Sequence, residues 1–67
     1  MSDVIVVNEV VYGVIHAEIE VIVFKDKITH IKSNNVTDQC IIYLVNGMHI
    51  TCKETYEEVW KQICGLT

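Results

Sequence analysis

A chain of 67 residues, 51% of them hydrophobic, holds one small domain (residues 1–67) and buries only about 60% of the surface its unfolded form exposes. Its longest apolar runs, Val21 to Phe24 and Cys40 to Val45, are far shorter than the roughly 20 residues of a membrane-spanning helix, so no membrane association is expected. A formal charge of −4, with five dispersed lysines and no arginine, argues against nucleic acid as a partner, because such binding needs a basic patch and prefers bidentate guanidinium contacts.

The valine-rich segment Asp3 to Tyr12 reads as a strand, with Gly13 as a turn, bulge or close-approach point. From His16 the alternation is regular. Ala17, Ile19, Val21 and Val23 share one face, and His16, Glu18, Glu20, Ile22 and Phe24 share the other. Lys25-Asp26 forms a tight connection into a short strand, Lys27 to Lys32, that carries Ile28 and Ile31. Residues Ser33 to Asp38 form a polar loop.

Asn46-Gly47 lies between two apolar runs and predicts a two-residue type I′ hairpin. That turn sets Val45 against Met48, Tyr43 against Ile50 and Ile41 against Cys52 on a core face, leaving Cys40, Ile42 and Leu44 on the other side with His49, Thr51 and Lys53. Helix signals follow: Thr55 as N-cap, Glu58 to complete a capping box, and Gly65 as the stop, with Leu66 folding back on the last turn. Tyr56, Val59, Trp60, Ile63 and Cys64 form its apolar stripe, and Glu57, Glu58, Lys61 and Gln62 face water.

The expected fold is therefore α+β: a small antiparallel sheet of four to five strands with one C-terminal amphipathic helix packed on one face. One short helix covers one face only. The other face then exposes Ile22, Phe24, Ile42 and Leu44, with His49 beside them, as a candidate interface. A sheet coiled on itself like a small barrel would leave no such patch. The apolar, weakly charged stretch Val4 to Val7 offers strand-edge pairing as a further route to self-association.

No catalytic constellation is present. His16, His30 and His49 with Cys40, Cys52 and Cys64 lack the paired spacings of a zinc site, and His49 and Cys52, three apart on a strand, point to opposite faces. An odd number of cysteines suits free, buried thiols better than a disulfide framework, and Cys52 and Cys64 fall on stripes assigned to the core. Gly13, Gly47 and Gly65 lie too far apart for a phosphate loop, and Glu18 with Glu20, or Glu57 with Glu58, read as solvated acids. No metal, cofactor or enzymatic activity is expected. With Asp3 where a basic leader segment would begin, a cytoplasmic location is expected.

The stretch Ile41-Ile42-Tyr43-Leu44-Val45-Asn46-Gly47, then Met48 to Val59 with Glu54-Thr55-Tyr56-Glu57-Glu58-Val59 at the helix start, resembles the end of FlbD-type small flagellar and swarming-motility proteins. The likeness runs from Lys27 to Ile63, with Ile28 and Ile31 matching the aliphatic pair before it. It implies a non-catalytic accessory protein and no site residues to carry over. The function expected is a small interaction protein that forms a homo-oligomer through its sheet and regulates or inhibits a larger partner. A second expectation is a phage-type accessory protein holding a small ligand, such as a signalling nucleotide, in a cleft between protomers with His16, His49 or Thr51.

Overall fold

The computed structural model describes residues 3–11 and 17–65; the turn expected at Gly13, the placement of His16 and the fold-back of Leu66 lie outside the described residues. Five strands and one helix follow in chain order: β1 (Val4–Val11), β2 (Ala17–Phe24), a single 3-10 turn (Lys25–Lys27), β3 (Ile28–Ser33), β4 (Cys40–Leu44), β5 (His49–Cys52) and α1 (Tyr56–Cys64). All pairings are antiparallel, in the order β2-β1-β5-β4-β3. The architecture is α+β, as the sequence pattern indicates.

β2 and β3 are opposite edges of this sheet, yet only three residues join them. In a flat sheet those edges stand about 19 Å apart, four spacings of about 4.8 Å, whereas the chain from Phe24 to Ile28 reaches at most about 14 Å. The sheet is therefore strongly coiled, and its concave side encloses the core. Ile5, Val7, Val23, Cys40, Ile42 and Cys52 line that side, and Val59 of α1 closes over them. Ile63 packs beside Val59, while Tyr56, Trp60 and Cys64 are exposed, so the helix buries a narrower stripe than its sequence suggests.

The β4–β5 hairpin corrects the expected register by one residue. Leu44 N–H donates to the Met48 carbonyl (2.9 Å) and Gly47 N–H to the Leu44 carbonyl (3.0 Å), which makes Val45-Asn46-Gly47 a three-residue loop. Gly47 takes the left-handed conformation (φ +87°) and Asn46 does not, so the turn is not type I′, which needs positive φ at both positions. The Asn46 side chain accepts instead from Met48 N–H (3.0 Å). A slip of one residue exchanges the two faces of a strand. Cys40 pairs with Cys52 and Ile42 with Ile50 on the concave side, and Ile41 with Thr51 and Tyr43 with His49 on the convex side.

Helix α1 starts and stops at the residues its sequence marks, with the Thr55 half of the expected capping box formed. Thr55 Oγ1 accepts from Glu58 N–H (3.3 Å) at the start, and Gly65 ends it at φ +71°. Gln62 has a role its water-facing assignment missed. β1 meets β5 through a single bridge, Glu9 to Cys52, and beyond it the β1 backbone is served by side chains. Gln62 accepts from Val6 N–H and donates to the Val6 carbonyl, both at 3.1 Å, as a neighbouring strand would. Glu54 likewise accepts from the Asn8 N–H and from its Nδ2, both at 2.9 Å.

Two substitutions test this packing. Val59→Ala removes two fully buried methyl groups and is expected to cost about 2 kcal/mol in urea unfolding. Gln62→Ala is expected to cost about 1–2 kcal/mol and to raise hydrogen exchange at the Val6 amide selectively, leaving the Ile42 and Ile50 amides protected.

Candidate functional site

The five residues expected to form one interface divide into three places. Ile22 and Phe24 stand on the convex side of β2, each 59% exposed. Ile42 is fully buried and Leu44 half-buried against the core, so both leave the interface set, moved to the concave side by the hairpin register. His49 is exposed on the convex side of β5, with β1 lying between β5 and β2.

Two convex surfaces result. On the β1–β2 hairpin the register sets Val6 opposite Ile22 and Val4 opposite Phe24, an apolar row in which Val6 is 44% exposed. The same strand begins with Glu18 and Glu20, and Glu18 forms an exposed ion pair with Lys53 (3.4 Å). Its second half, Val21 to Phe24, carries no charge.

The other surface crosses β3, β4 and β5. His30 stacks on Tyr43 with ring centres 4.5 Å apart and planes 10° from parallel, and His49 tilts against the far side of the row at 5.7 Å. Lys32 Nζ lies 5.3 Å from the Tyr43 ring centre. Thr29 Oγ1 lies within hydrogen-bonding distance of both the Tyr43 carbonyl (3.2 Å) and His30 Nδ1 (2.9 Å), tying β3 to the ring row. Such cross-strand ring contacts contribute roughly 0.2–1 kcal/mol per pair to the sheet. Tyr43 thus acts on the convex surface, not in the core.

The cysteines also divide. Cys40 and Cys52 are opposite one another on the concave side, and Cys52 Sγ donates to the Cys40 carbonyl (3.1 Å). Burial pushes the Cys52 thiol up to about 12, with the neighbouring Cys40 and Glu54 adding to the effect, and burial raises Cys40 as well. Neither supplies a thiolate near neutral pH. Cys64, expected in the core, is exposed because α1 turns Val59 and Ile63 inward instead. Among the described residues no three His, Cys, Asp or Glu side chains gather as a metal site, and no helix is long and apolar enough to cross a membrane.

Comparison with known protein families, with characterised proteins and with solved structures finds no match to this chain.

Thiol chemistry reports directly on this arrangement. Ellman's reagent is expected to modify one thiol per native chain within seconds, at Cys64, and Cys40 and Cys52 only as the protein unfolds. Because the folded thiol of Cys52 titrates above its unfolded range, its contribution to stability is complete below about pH 8.5 and is lost as pH rises towards about 12. Unfolding free energies measured from pH 8 to 11 should therefore fall more steeply for the native chain than for Cys52→Ala, in which lysine and tyrosine titration is retained.

Proposed function

We propose that this protein is a small non-enzymatic interaction module that self-associates through the β1–β2 hairpin and in that form regulates or inhibits a larger protein partner. The observation that carries the reading is the apolar row Val6, Ile22 and Phe24, which stands exposed beside an edge strand. Solvated strand edges are normally protected by charge, proline or a bulge. The second half of β2 has none of these.

A second copy is the occupant that suits both features. Antiparallel pairing of β2 with its equivalent about a two-fold axis, centred on Val23, sets Ile22 of one copy against Phe24 of the other on the same face. It also keeps Glu18 and Glu20 of the two copies away from the axis. The held-protonated Cys40 and Cys52 support a role without nucleophilic catalysis. The resemblance of residues 27–63 to FlbD-type accessory proteins points the same way.

Sedimentation velocity tests the reading. The native chain is expected to sediment as a dimer or higher oligomer at micromolar concentration. Ile22→Glu and Phe24→Glu, which alter exposed positions, are expected to sediment as monomers with unchanged circular dichroism. A native chain that stays monomeric at hundreds of micromolar overturns it.

A further inference from the structure

Coiling leaves one end of the concave side open. Helix α1 packs on β1, β3 and β4, and where the sheet's two edges approach each other a cleft of about 530 Å³ opens between the end of β2, the 3-10 turn, and the β4–β5 hairpin with its loop. Val21, Val23, Leu44 and Ile50 line it with core-facing side chains that, apart from Val23, are only half-buried, and the exposed Ile22, Phe24 and Val45 complete its wall. Its volume falls within the roughly 300–1,000 Å³ usual for small-molecule sites.

Polarity in this cleft is sparse and has one sign. Lys27 and Asn46 supply it. The Asn46 side-chain oxygen is already engaged by Met48 N–H, whereas the Lys27 ammonium makes no ion pair with any described residue, its neighbour Asp26 included. No carboxylate lines the cleft. An aliphatic trough with a single cation at its rim is complementary to a molecule with an aliphatic chain and one anionic head.

We propose that this cleft binds a small amphipathic carboxylate, its hydrocarbon chain lying against Val21, Leu44 and Ile50 and its carboxylate paired with Lys27. The site borders the self-association surface, because Ile22 and Phe24 of the proposed dimer row also form part of its wall, but binding needs only the groups of one copy. The chain supplies area-dependent affinity, and the ion pair, being partly exposed, supplies the choice of head group.

Decanoate and decyltrimethylammonium, each held below its micelle concentration, share a chain length and differ in charge. Decanoate is expected to shift the Val21, Leu44 and Ile50 methyl resonances saturably, and the ammonium probe to bind roughly fivefold more weakly. Lys27→Glu should invert that preference while keeping the fold, since Lys27 is exposed and contributes its carbonyl, not its side chain, to the bond from Val45 N–H (2.9 Å). The inference is overturned if neither probe moves those methyls, or if both move them equally in the native and Lys27→Glu chains. Sedimentation of the same samples reads the self-association proposal separately.

Discussion

The three-residue link between β2 and β3 is the constraint on which the rest of this structure depends. It forces opposite sheet edges together at one end, so a five-stranded sheet gains a concave side that a nine-residue helix covers except at that end. A flat sheet of this composition would need cover on two faces. Coiling reduces that need to one core cluster, seven buried side chains among the described residues, and concentrates what remains uncovered into a convex row and an open end.

Local signals along the chain proved legible where a single residue dictates backbone geometry. Thr55 bounds α1 through its hydroxyl and Gly65 through its freedom to take positive φ, and the alternation from Glu18 to Phe24 correctly turns Ile22 and Phe24 outward. The hairpin was not legible in the same way. Asn46-Gly47 suits a two-residue turn with both residues at positive φ and equally a three-residue loop with only glycine there, and the dipeptide alone does not choose. Packing chooses: the longer loop brings Ile42 and Cys40 onto the side that Val59 covers. Once the register moved by one, Leu44, Tyr43 and Cys40 all changed places together.

Gln62 and Cys64 show a second limit. On a helical wheel Gln62 belongs with the charged residues and Cys64 with the apolar stripe. Which side of a helix is covered depends on where the sheet stops, and β1 parts from β5 after one bridge. That opening demands hydrogen-bonding partners for Val6 and Asn8, and an amide and a carboxylate meet the demand better than any hydrocarbon. The need arises 56 residues from Gln62, beyond the reach of periodicity.

The same clasp dictates when the molecule can be completed. Val6 and Gln62 lie 56 residues apart, so the gap in β1 closes only once α1 has docked on the sheet. With α1 detached, the Val6 N–H and carbonyl lose the partners that Gln62 gives them. Completion of the sheet thus waits on a contact between distant parts of the chain, the kind of closure that slows folding.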